Sequence, residues 1–195
     1  MGNRAVICTE AKDLGVYLHW NGGRDSVEAF LFYCKLKGYR KPELDNYGWA
    51  RLCQVIGNFF GGEYSVGIDV YDKLDTDNGD NGVYIIKDWQ IIDKEFEPLE
   101  DRDEEQFRGM VEAINGSMGV SEQIDKETLE KEIDNYLSGT ITVKQIKAIH
   151  TLVNKIGYAD REYRALLDLL FKVKSCKELT RKQAEILIDT LSKLK

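Results

Sequence analysis

The chain has 195 residues, 43% of them hydrophobic, with 27 basic side chains against 34 acidic ones and a net charge of −7. That length allows one large domain or two small ones, each with its own core. No apolar run reaches the roughly 18 residues of a membrane span, so none is expected. MGNRAVICTE lacks the apolar stretch of a secretory leader, and its Met-Gly start fails the myristoylation pattern, because Val6 stands where Ser or Thr is required. These features predict a cytoplasmic protein.

The first strands are expected over Asn3–Thr9 and Leu14–Trp20, joined through EAKD as a hairpin. Asp25 to Lys37 then reads as a helix with Val27, Phe30, Leu31 and Cys34 on one face and Gly38 as its stop. Tyr47 to Phe60 repeats the scheme with Trp49, Leu52, Cys53, Ile56 and Phe60, ending at Gly61-Gly62. Strands return over Tyr64–Tyr71, Gly82–Lys87 and Trp89–Asp93. The order ββααβββ predicts an α+β fold, a two-layer domain over residues 1–98 with a mixed or antiparallel sheet and two helices on it.

Pro98 opens a change of character. Residues 99–139 read as an acidic linker with one helix, in which Ile124, Leu129, Ile133 and Leu137 are the apolar positions. Residues 140–195 read as a basic three-helix bundle. Thr142 and Gln145 form a capping box before Ile146, Ile149, Val153 and Ile156, with a stop at Gly157. Asp160 is expected to cap a second helix running to Phe171, and Thr180 with Gln183 to open a third.

Charge follows the same division. Residues 1–100 carry 11 basic and 17 acidic side chains, residues 101–140 carry 4 and 11, and residues 141–195 carry 12 and 6. An acidic body repels bare nucleic acid and attracts a basic partner, whereas a basic tail does the reverse. The tail's charge is equally what a soluble lysine-rich helix would show.

The strand-to-helix junction LHWNGGRDS is the main candidate site. Asn21, Gly22 and Gly23 would let the backbone turn tightly toward a phosphate at a helix N-terminus. His19 could move a proton, Arg24 could clamp a phosphate, and Asp25 could orient either or cap the helix. The junction lacks a Walker lysine and the GxGxxG spacing, and a plain glycine turn with an Asp or Ser cap explains the same residues. In the basic tail, Lys144, Lys147, Arg161, Arg164, Arg181 and Lys182 are the candidates for nucleic-acid binding.

Other features point away from sites. Cys8, Cys34, Cys53 and Cys176 form no CxxC pair and stand at no metal spacing, which predicts buried reduced thiols and no metal. His150 falls between apolar helix positions and is expected to be partly buried or at a helix contact. DKLDTDNGDNG fits no EF-hand frame and reads as an acidic Asn-Gly hairpin loop. Most aromatics sit at core spacing, with Trp20 and Tyr39 the expected exceptions. No cofactor is expected.

Two resemblances add to this reading. MGNRAVI with VYLHWNGG and YGWARLCQVIGNFFGG, over roughly residues 1–95, resembles bacterial and phage proteins that begin Met-Gly-Thr/Asn-Arg and carry a Tyr-x-His-Trp-Asp/Asn-Gly box. These sit mostly on mobile elements, and the chain is similar to type II-A anti-CRISPR proteins, some of which act on guide RNA. Residues 141–191, ITVKQIKAIH through LIDTL, resemble the helical module of GemA-type phage regulators. The resemblances imply a phage or mobile-element inhibitor of host defence working in the host cell, with a Cas9-type effector or its guide RNA as partner. A metal-independent ribonuclease activity would use His19 as general base on a 2′-hydroxyl and Arg24 to stabilise the phosphorane. The alternatives are a protein that sequesters a nucleotide signal, or a phage regulator binding nucleic acid through its C-terminal helices. Oligomeric state is left open by the sequence.

Overall fold

A computed structural model describes residues 2–63, 65–139, 141 and 143–193, with the side chains of 143 and 144 excepted. The fold is α+β, and the chain divides into two compact units, Met1–Asp125 and Lys126–Lys195.

The first unit holds β1 (Ala5–Thr9), β2 (Leu14–Leu18), α1 (Arg24–Leu36), α2 (Asn46–Phe60), β3 (Val66–Val70), β4 (Val83–Lys87), β5 (Gln90–Glu95) and α3 (Glu104–Ser117). The sheet order is β3-β2-β1-β4-β5. Only β1 and β4 run parallel, Val6 facing Val83 and Cys8 facing Ile85, and the other neighbours are antiparallel. β1, AVICT, is central and buried at every position. A strand covered on both faces has no reason to alternate apolar with polar residues.

One cover is helical. α1 buries every residue from Val27 to Cys34, so it is enclosed all round rather than on one stripe. The reason is α3, which grows out of the stretch expected to be a linker. Asp103 caps it by accepting from the backbone N–H groups of Glu105 and Gln106, both at 3.0 Å. Its Phe107, Val111 and Ile114 are buried. Phe32 meets Phe107 edge-on at 5.6 Å, and the Tyr33 hydroxyl donates to Asn115 Oδ1 at 3.1 Å. Residues 104–122 therefore complete the first core, and the boundary falls after Asp125 instead of at residue 98.

The other cover is the segment between β3 and β4. Those strands are not neighbours, so DKLDTDNGDNG is a crossover and not the expected hairpin loop. Tyr71 and Leu74 pack on Val6, Cys8, Val83 and Ile85. Buried Asn78 organises the far end: its Oδ1 accepts from the N–H groups of Asp80, Asn81 and Gly82, and its Nδ2 donates to the carbonyls of Asp75 and Gly82. Arg4 ties this loop to the sheet through Asp80 at 2.7 Å and holds that carboxyl below its ordinary pKa. The last hairpin also departs from expectation. Asp88 and Trp89 both have positive φ, which places Trp89 in a tight turn ahead of β5, with its indole N–H donating to the Tyr39 carbonyl at 3.0 Å.

The second unit comprises α4 (Lys126–Gly139), α5 (Val143–Ile156), α6 (Asp160–Phe171) and α7 (Arg181–Lys193). Ile149, Leu167, Leu179, Ala184, Leu187 and Leu191 centre its core. The Thr180–Gln183 capping box forms in both directions, at 2.9 and 3.2 Å. The Thr142 box lies outside the described residues. Asp160 does not cap α6; it is the first helical residue, and Glu162 Oε2 closes the turn by accepting from the Ala159 N–H at 2.9 Å. Cys8, Cys34 and Cys176 are buried, Cys53 is half-buried, and all four are free thiols.

Gly82 has φ +62°, and a Cβ there would run into the Glu95 carbonyl oxygen and press on Phe96. Gly82→Ala is expected to cost about 2–3 kcal/mol, measured as a lower denaturant midpoint with an unchanged slope.

Candidate functional site

Three segments meet where β2 gives way to α1. The Asn3 N–H donates to the His19 carbonyl at 3.1 Å, the His19 N–H to Ser65 O at 2.9 Å, and the Gly22 N–H to Asn3 O at 2.8 Å. A Cβ on Gly22 would lie 2.6 Å from both Arg4 C and Asn3 O, so the glycine is demanded by a close backbone crossing. Asn21 takes φ +55° and its amide donates to Met110 Sδ at 3.6 Å. The residue preceding α1 is Gly23, which offers no side chain, so neither Asp25 nor Ser26 acts as the cap.

The side chains of the junction go separate ways. His19 is exposed, with Nδ1 3.2 Å from the Tyr17 hydroxyl and its ring edge-on to Trp20 at 5.1 Å. Arg24 turns along the helix to Glu28 at 3.2 Å and donates to the Glu100 carbonyl. Glu28 is itself buried and takes a second arginine, Arg102, at 2.6 Å. Asp25 Oδ1 accepts from the Asp103 N–H at 2.8 Å, and burial pushes its carboxyl pKa up. The structure thus brings Arg24 and Asp25 to the α1–α3 contact and leaves His19 with Tyr17 and Trp20. At the start of α1 the guanidinium groups of Arg24 and Arg102 both go to Glu28, which directs them along the helix and not toward the Gly22–Gly23 turn. Trp20, 42% exposed, and Asn21, Phe59, Phe60 and Glu63 line an open aromatic depression of about 390 Å³ beside the junction.

A larger cleft, about 510 Å³, opens between the β1–β2 turn and the connection from α1 to α2. Leu14, Trp49 and Ile86 give it an apolar floor, while Glu10, Asp13, Glu43 and Asp45 stand around it. Glu10 pairs with Lys87 at 2.8 Å, Glu43 accepts from the Asp88 N–H at 2.8 Å, and Asp45 caps α2 and pairs with Arg40 at 3.0 Å. Leu44, 72% exposed, stands at the rim. An apolar floor under carboxylates suits the aliphatic stem and cationic head of an arginine or lysine side chain. Sequence reasoning missed this cleft because its residues come from three stretches that no motif links.

In the second unit, Lys147, Arg161, Arg164 and Lys182 are exposed on three different helices. Arg164 pairs with Asp160 at 2.8 Å. Arg181 is half-buried, and its carbonyl accepts from the Gln145 amide at 3.0 Å. The Lys144 side chain lies outside the described residues. Among the described residues, no group of three His, Cys, Asp or Glu side chains could hold a metal ion, and no helix is long and apolar enough to cross a membrane.

The two glycines of the junction should respond differently. Gly22→Ala is expected to cost about 2–3 kcal/mol through backbone overlap. Gly23→Ala, whose Cβ would meet only the Asn3 side chain at 3.6 Å, should cost about 1 kcal/mol or less; urea titrations of both variants check the contrast. Asp25 supplies a pH test. Its folded pKa lies above the ordinary 3.8, so its stabilising contribution is full below that pH and is lost as pH rises through the folded value. Asp25→Asn keeps an acceptor for the Asp103 N–H and should gain melting temperature relative to the parent between about pH 4 and pH 7. Comparison with protein-family models, with curated proteins and with solved structures finds no match for the chain.

Proposed function

We infer that the chain is a phage or mobile-element inhibitor of host defence whose acidic first unit occupies the basic nucleic-acid channel of an effector, most concretely a Cas9–guide RNA complex. The observation that carries this reading is the division of charge. Residues 1–125 hold 24 acidic against 13 basic side chains, net −11, while residues 126–195 hold 14 basic against 10 acidic, net +4. Cations of the first unit are largely consumed internally: Arg4, Lys12, Lys37, Lys87, Lys94 and Arg102 each pair with a carboxylate. Each pair cancels one charge of either sign, so the surplus of 11 acidic side chains remains, the sign a phosphate-binding channel attracts. The cleft near Asp13 and Glu43 supplies a place for a channel arginine or lysine. Exposed Lys147, Arg161 and Lys182 of the second unit would face guide RNA. This reading rests on binding, because Arg24 and Asp25 are engaged in the α1–α3 contact.

A second reading, sequestration of a nucleotide stacked on Trp20, draws on the open aromatic depression beside Phe59 and Phe60. A nucleotide that copurifies with the chain and is lost on Trp20→Ala would favour it.

The deciding experiment mixes the purified chain with a Cas9–guide RNA complex and follows DNA cleavage and guide length together. Expected is loss of cleavage with the guide intact, relieved by added salt and weakened about tenfold by Asp13→Lys with Glu43→Lys. A shortened guide would instead assign chemistry to the junction, and His19→Ala would test it. Unaffected cleavage overturns the reading.

A further inference from the structure

Apart from the surfaces used above, the second unit brings together two residues 26 positions apart in sequence. His150, expected to be partly buried or at a helix contact, is exposed on α5 but touches Tyr163 of α6, and its Nε2 lies 3.4 Å from Cys176 Sγ. Cys176 opens the short turn between α6 and α7 and is 3% exposed. Both border a cavity of about 150 Å³ whose remaining wall includes Tyr163, Asp160, Arg164 and Lys174.

Tyr163 supplies an independent sign of an occupant. Its side chain is 7% exposed, its ring stands edge-on to His150 at 6.1 Å, and its buried hydroxyl makes no hydrogen bond of good geometry, with the Cys176 thiol as a polar neighbour. A buried hydroxyl left unpaired costs stability unless something arrives to accept from it. Burial, with the neighbouring Cys176 thiol, pushes the Tyr163 pKa up, so the hydroxyl keeps its proton and remains a donor. The other three thiols have no such setting. Burial pushes Cys8 up to about 11 and raises Cys34 and Cys53 as well, which suppresses the thiolate form.

We propose that His150, Cys176 and Tyr163 form a peroxide-reactive thiol site, in which Cys176 is oxidised to a sulfenic acid by hydrogen peroxide admitted to the cavity. His150 Nε2 takes the thiol proton, as an adjacent base activates a nucleophile. The sulfur electron pair attacks one peroxide oxygen, so that an S–O bond forms as the O–O bond breaks. Sulfur loses two electrons, and the peroxide is reduced. The departing hydroxide collects the proton held on His150 and leaves as water. The new oxygen on sulfur then accepts from the Tyr163 hydroxyl, a better acceptor for that donor than the thiol it replaces, and this slows further oxidation.

The test exposes the full chain to hydrogen peroxide with a dimedone trap and maps the adduct on each cysteine by peptide mass spectrometry. Cys176 should label about tenfold or more faster than Cys8, Cys34 and Cys53 in the native chain, and the preference should vanish in urea. His150→Gln should slow Cys176 labelling about tenfold or more at unchanged far-UV circular dichroism. Tyr163→Phe should label as fast but pass more readily to the sulfinic acid. Equal labelling of the four cysteines, a Cys176 preference that survives in urea, or labelling indifferent to a folded His150→Gln overturns the proposal. If that variant unfolds, the native-against-urea comparison alone decides.

Discussion

Enclosure of α1 on every side is the constraint from which the first unit follows. A helix with Val27 through Cys34 all buried cannot end its packing at the sheet; it packs against both α2 and α3. That enclosure also traps Glu28, a carboxylate that no buried helix face could tolerate alone. Arg24 from its own helix and Arg102 from the approach to α3 neutralise it, so the ion pairs and the apolar packing depend on the same docking event. Residues that look functional in the junction, Arg24 and Asp25 above all, are recruited to that docking.

The sheet face away from the helices has a different solution. A polar crossover, held in shape by Asn78 and anchored by Arg4, covers it and packs Tyr71 and Leu74 onto it. Gly15 makes room for this cover, since a side chain there would collide with Leu74. Covering two faces by such different means leaves the acidic residues of the crossover at the surface and contributes to the negative field on which the proposed docking to a basic channel depends.

Much of the architecture was legible from local pattern. The ββααβββ order, the stripes of α2 and α5, and the Thr180–Gln183 capping box all reside in neighbouring residues, where periodicity and caps act. The failures share one cause, which is dependence on distant partners. α3 was obscured by its charged surroundings, although Phe107, Val111 and Ile114 carry the i, i+4, i+7 spacing of a helix face. Trp89 sits in a turn with positive φ because a long-range hydrogen bond to Tyr39 and its own burial outweigh local strand preference. Neither the acidic cleft nor the contact between His150 and Cys176 could be read from spacing, because each is assembled from separate stretches by the fold.

The position of α3 in the chain carries a consequence for synthesis. Translation delivers the sheet and the first two helices before residue 104, yet at that point the outer face of α1, with Phe32 and Tyr33, has no cover. At the roughly 5–20 residues per second of bacterial or eukaryotic elongation, the nascent chain spends seconds with that aromatic face open. The first core can close only after Glu122 clears the ribosomal tunnel, so a ribosome that stalls between the fifth strand and the third helix would present a sticky, chaperone-binding intermediate.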